Sequence, residues 1–170
     1  DSLQIITLPT GDVTVTLPLP DFSYASHLAI SGNSELFAAG VGEYAGAFAG
    51  RVYLWRLEGL ISAGFIETDA WATEESGTYG LNLKALALSP DGAELTTIDG
   101  NHMIQRWDTE TLEEIQPAYE APSTHIYHMV VSPVDPSLAL LFDVNEPLML
   151  LNLSDGAVHT TITPGVSYSE

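Results

Sequence analysis

An all-β chain built from a repeated four-stranded antiparallel unit is expected from three features of these 170 residues. Short runs of branched, aromatic and leucine residues alternate with Gly, Pro, Asn and Asp turn signals. Few windows sustain the i, i+3, i+4, i+7 apolar spacing of a helix for three turns. Two strand–turn–strand patterns also recur along the chain. In order, the strands are "LQIITL" (Leu3 to Leu8), "VTVTL" (Val13 to Leu17), "LFAAGV" (Leu36 to Val41) and "RVYLWRL" (Arg51 to Leu57). They continue with "KALAL" (Lys84 to Leu88), "HMVVS" (His128 to Ser132), "LALLF" (Leu138 to Phe142) and "LMLLNL" (Leu148 to Leu153).

The first recurring pattern is "LAISGNSELF" (Leu28 to Phe37), "LALSPDGAEL" (Leu86 to Leu95) and "MVVSPVDPSLAL" (Met129 to Leu140). Each is an apolar strand, a Ser, a tight turn and a second apolar strand. Pro presets φ in such a turn, Gly accepts positive φ, and Asp or Asn tolerates it. Ser89, Asp91 and Gly92 supply this chemistry in the middle repeat. The second pattern is "QIITLPTGDVTVT", "YLWRLEGLISAG", "IQRWDTETLEEI" and "LMLLNLSDGAVHTT". Its pivots Ile6, Trp55, Trp107 and Leu151 lie 44 to 52 residues apart, the length of one four-stranded propeller blade. The expected division is a half blade at 3–17 and full blades at 26–68, 83–118 and 126–163. That makes about three and a half blades, part of a larger ring of about seven, with the remaining blades from the same parent polypeptide or another chain.

"SPDG" at Ser89 to Gly92 and "IQRWD" at Ile104 to Asp108 resemble the WD40-type β-propellers, with degenerate echoes in the other repeats. Only one repeat carries the Trp-Asp pair, Trp107 and Asp108; elsewhere the second position is Thr7, Arg56 or Asn152. The resemblance implies a turn residue six positions before the pivot that knits the blade, a slot held here by Asn101 and Asn145. It also implies a rigid protein-binding face formed by the connections between second and third strands and between blades.

Two long connections fall on that face. "AAGVGEYAGAFAG" (Ala38 to Gly50) offers Tyr44 and Phe48 as apolar anchors for a partner, or simply lengthens two strands around a bulge. "IETDAWATEESGTYG" (Ile66 to Gly80) offers Asp69, Glu74 and Glu75 to a basic partner or a hard cation such as calcium. Trp71 and Tyr79 add stacking surface there, although the spacing matches no EF-hand loop. No metal or cofactor is therefore assigned. The five histidines form no HExxH pair, and neither GxSxG nor a phosphate-cradling glycine loop occurs.

Charge narrows the partners. Twenty-three acidic residues against four basic ones, Arg51, Arg56, Lys84 and Arg106, give a net charge of −19. Such a surface repels nucleic-acid phosphates and anionic membranes. No apolar run reaches the roughly 20 residues of a membrane-spanning helix. Without cysteine there are no disulfides or thiolate sites. Acidity and scarce lysine favour an extracellular or periplasmic setting over a cytoplasmic one. The expected function is a non-catalytic scaffold that binds a protein partner, one with basic character. The alternatives are a propeller hydrolase whose active residues lie outside this segment, or a structural subunit of an envelope assembly.

Overall fold

Fourteen strands form in the computed structural model, which describes residues 2–6, 9–19, 23–43, 50–68 and 83–162. A two-stranded antiparallel ribbon comes first, β1 (Ser2–Ile6) with β2 (Val13–Pro18). Three four-stranded antiparallel meanders follow, each with its strands in chain order. The first holds β3 (Ser23–Ile30), β4 (Leu36–Glu43), β5 (Gly50–Arg56) and β6 (Ile61–Thr68). The second holds β7 (Ala85–Leu88), β8 (Glu94–Ile98), β9 (Met103–Asp108) and β10 (Glu114–Glu120). The third holds β11 (Ile126–Val131), β12 (Leu138–Asp143), β13 (Leu148–Asn152) and β14 (Val158–Ile162). A single 3-10 turn at Glu58–Leu60 is the one departure from strand among the described elements.

The serine-led turns join first to second strands as their residue types require. Ser89 Oγ lies 2.6 Å from Asp91 Oδ1 and accepts the Glu94 amide at 2.9 Å, while Asp91 Oδ1 accepts the Ala93 amide at 3.1 Å. Gly92 takes a φ of 75° in that turn, a conformation that costs glycine little. Ser31 and Asn33 build the same turn one sheet earlier: Ser31 Oγ meets Asn33 Oδ1 at 2.6 Å and accepts the Leu36 amide at 2.9 Å. In the third copy Asp135 serves Ser137 instead, at 2.6 Å.

First strands set the packing. β7 lies against both β3 and β11, so the sheets fan outward from a common line. At one end the Asn33 amide donates to Pro90 O at 2.8 Å; at the other the His27 ring hydrogen-bonds the Lys84 backbone. β3 and β7 therefore run in the same direction. One apolar layer fills each gap between sheets. Leu17, Phe37 and Trp55 pack between the ribbon and the first meander. Leu54, Leu86, Leu95 and Trp107 fill the next gap, and Ile104, Met129, Leu141 and Leu151 the last. No ring closure is seen among the described residues.

A polar clamp ties the second meander to the third. Arg106 pairs with Glu94 and reaches Leu153 O at 3.5 Å, and the Tyr119 hydroxyl donates to the same carbonyl at 3.0 Å. Burial pushes the Tyr119 phenol up to about 12. Gly156 sits beneath this ring with a φ of 72°, and a Cβ there would overlap the aromatic carbons. Gly156→Ala is expected to cost roughly 1–3 kcal/mol, through both the left-handed backbone and the overlap. Thermal unfolding checks this, and Tyr119→Leu in the same background should recover part of the loss.

Candidate functional site

Strand direction places both long connections at one end of the array. β4 finishes opposite the start of β3, through the Ser23–Glu43 register, and β5 starts opposite the end of β6, through Gly50–Thr68. Segments 44–49 and 69–82 therefore leave from the end where β3 and β7 begin. The expected anchors Tyr44, Phe48, Asp69, Trp71, Glu74, Glu75 and Tyr79 lie outside the described residues.

The repeat residues fall within them. Trp107 is 9% exposed and donates from Nε1 to Thr97 Oγ1 at 3.0 Å. Trp55 is 6% exposed and stacks on Phe37, with ring centroids 5.4 Å apart. Both indoles face the preceding sheet, as their layers require. Asp108 ends β9, and its carboxylate accepts the Thr111 and Glu110 amides at 2.7 and 2.9 Å; these bonds hold its pKa low. Ser89, Asp91 and Gly92 form the turn described above. Each of these residues is engaged in sheet packing or in turn hydrogen bonds.

In the turns between second and third strands, where the resemblance points to Asn101 and Asn145, two buried acids stand two residues earlier, Asp99 and Asp143. Asp99 Oδ1 accepts the Met103 amide at 2.8 Å. Asp143 accepts the Ser123 hydroxyl and the Asn145 and Glu146 amides, the latter two at 2.7 and 3.0 Å. Burial disfavours the Asp143 carboxylate, yet these donors outweigh burial and lower its pKa. The signal was present: an Asp directly follows the last apolar residue in both "LTTID" and "LLFD".

The chemistry at the inner strands is sparse. A cleft of about 230 Å³ runs between the first strands, lined by Leu28 and Ile30, Leu86 and Leu88, and Val130 and Val131. Its side chains are mostly apolar, and His128 is among them. Burial lowers the pKa of His27, and neighbouring His128 adds to this. Among the described residues no group of three or more His, Asp or Glu side chains is placed to hold a metal ion. No helix there is long and apolar enough to cross a membrane.

One large surface has the composition of an interface. Met129, Ala139, Leu141, Met149 and Leu151 turn one side of the third meander into the core. The alternating residues form its other side. There the register aligns Val130, Leu140, Leu150 and Thr160 in one row across four strands. Phe142, Leu148 and Ile162 form part of the adjacent row, with the His128 ring 5.6 Å from that of Phe142. Val130 and Ile162 are 45% and 47% exposed, and the leucines and Phe142 are half-buried. Acids lie around this sheet at Asp135, Glu146 and Asp155, while residues 107–170 contain no Lys or Arg. Comparison with family models and with curated protein sequences finds no match to the chain.

Proposed function

We propose that this chain is a segment of a β-propeller of the WD40-like kind and works as a non-catalytic scaffold that binds a protein partner. What supports the ring is the fan of four-stranded meanders about adjacent first strands. The binding function rests on one observation, the apolar outer side of β11–β14, which in this reading packs against the next element of the array, supplied by the same parent polypeptide or by another chain. A patch of aligned Leu, Val, Ile and Phe rows is the kind of surface that monomeric proteins rarely leave open. Its acidic surroundings suit a partner whose rim is basic, because opposite charges around an apolar centre speed encounter and exclude wrong partners.

Paired Leu140→Glu and Leu150→Glu substitutions test it. Both side chains lie on the side of the sheet that no described residue covers, so the circular dichroism spectrum should persist. A partner captured on the immobilised chain, repurified and titrated calorimetrically, should bind at least about tenfold more weakly to the variant, which corresponds to 1.4 kcal/mol. Its affinity should also fall with added salt. Equal affinity for both forms would sink this surface. Turnover of glycoside or peptide substrates by the unmodified chain would replace the scaffold with a hydrolase.

A further inference from the structure

Three positions that are equivalent in the repeat differ sharply in exposure. A serine directly follows each of the first strands β3, β7 and β11, at Ser31, Ser89 and Ser132, and three residues before it stand Leu28, Leu86 and Met129. Leu86 is 4% exposed and Met129 2%, whereas Leu28 is 57% exposed. One residue before the serine, Leu88 is 6% exposed and Ile30 is 60%. The residue types are alike, so the neighbour makes the difference. Leu86 and Leu88 are covered by Ala29, Leu36 and Ala38, from the first two strands of the preceding meander. Met129 is covered by Ala85, Ala87 and Ile98, again from the first two strands of the sheet before it.

The ribbon β1–β2 precedes β3, and among the described residues it has no such pair. It occupies the position of third and fourth strands: Ile6 aligns with Trp55 and Trp107 in the repeat. β5, β9 and β13 each pair on both edges, whereas among the described residues β1 pairs with β2 alone. Where first and second strands would stand there is a cleft of about 280 Å³, lined by Leu3, Ile5, Leu28, Ile30, Phe37 and Leu57. An unpaired strand edge beside an apolar cleft is a template for strand addition.

We infer that the free edge of β1 is a docking site for an antiparallel β-hairpin, which completes a fourth four-stranded sheet. This rests on the repeat-array reading above and names the occupant of its open end. The hairpin's nearer strand runs antiparallel to β1 and takes its backbone hydrogen bonds from that edge. Its side chains facing β3 are small or branched and apolar, as Ala85, Ala87 and Ile98 are against Met129. Leu28 and Ile30 are then covered as their equivalents are.

The chain contains a suitable probe. Residues 83–102 hold β7, β8 and the turn that leads into β9, and they can be fused directly ahead of Ser2. In the fusion, the β1 amides that face away from β2 should exchange on the order of 100-fold more slowly than in the unmodified chain. The melting temperature should rise by roughly 5 °C. Leu28→Gln should leave the unmodified chain's melting temperature nearly unchanged and cancel the gain in the fusion. Added in trans, a synthetic peptide of residues 83–102 should shift the methyl resonances of Leu28 and Ile30. Unprotected β1 amides in the fusion, together with unshifted methyls in trans, would overturn the hairpin site. Nuclear Overhauser contacts between His27 and Lys84, and between Ala87 and Met129, report the array independently in the same samples. If they are present while β1 stays unprotected, only the hairpin proposal fails; if they are missing, the array reading fails with it.

Discussion

Trp107→Ala is expected to lower the unfolding free energy by about 3–5 kcal/mol, a large part of the roughly 5–15 kcal/mol that holds a typical domain. The indole joins Leu54, Leu86, Leu88 and Leu95 in the layer between the first and second meanders. Truncation leaves a void walled from two sheets, and neither can collapse into it without disturbing the other. Trp107→Phe separates packing from polarity. It keeps most of the ring but strands the Thr97 hydroxyl, which is 0% exposed and accepts the Nε1–H bond at 3.0 Å. That variant should lose roughly 1–2 kcal/mol, a lost hydrogen bond plus a poorer fit. Urea unfolding followed by far-ultraviolet circular dichroism measures both. The midpoint should fall with the slope unchanged, because the surface exposed on unfolding is nearly the same. A second cut in the same layer, Leu54→Ala, should combine with Trp107→Ala non-additively, since the two share one cavity. A Trp107→Ala loss below about 1 kcal/mol would mean that the indole packs loosely.

Strand positions and turns were legible because they depend on local chemistry. "SPDG" can do little but turn a chain, and the Ser89–Asp91–Gly92 bonds follow from residue types two apart. The stacking of sheets was legible through the repeat, since Trp55, Trp107 and Leu151 recur at the spacing of one four-stranded sheet and each faces the sheet before it. The acceptor role of Asp99 and Asp143 was less legible for a definite reason. Counting back from the pivot gives Asn101 and Asn145, whereas these two acceptors stand at the end of the second strand. The outer apolar side was hidden because "LALLF" and "LMLLNL" are apolar at every position. A strand covered on both sides and one left open on one side have the same sequence in that case. Leu28 against Leu86 makes the same point: identical residues in identical repeat positions differ only in what stands opposite them. The acidic and aromatic connections at 44–49 and 69–82 lie outside the described residues, so the expected anchors bear on function only through the strands that flank them.

Asp143→Ala should cost roughly 2–4 kcal/mol, because one carboxylate serves three donors from two connections. Ser123 lies between β10 and β11, and Asn145 and Glu146 lie in the turn between β12 and β13. Removing the carboxylate leaves the Ser123 hydroxyl without its acceptor and unties the third meander from the segment that enters it. Asp143→Asn keeps an acceptor oxygen in place and should lose only about 1 kcal/mol at neutral pH, the charged share of the bonds. The pH dependence separates the charge from the shape. The folded-state pKa of Asp143 lies below the unfolded carboxylate value of about 3.9. Between those two values the unfolded chain binds more protons than the folded one. The contribution is therefore fully present above about pH 4 and is lost as pH falls through the folded value. In Asp143→Asn that part of the acid limb should flatten. The slope left over belongs to the other depressed carboxylates: Asp91, held by the Ser89 hydroxyl, Asp108, held by the Thr111 amide, and Asp135, held by the Ser137 hydroxyl. Unfolding midpoints in urea between pH 2 and pH 7, taken at fixed ionic strength because the chain carries a net charge of −19, provide the comparison. If unmodified chain and Asp143→Asn trace parallel acid limbs, the Ser123–Asp143 link is not ionic in solution; if they converge as the pH falls, the carboxylate is what holds the two connections together.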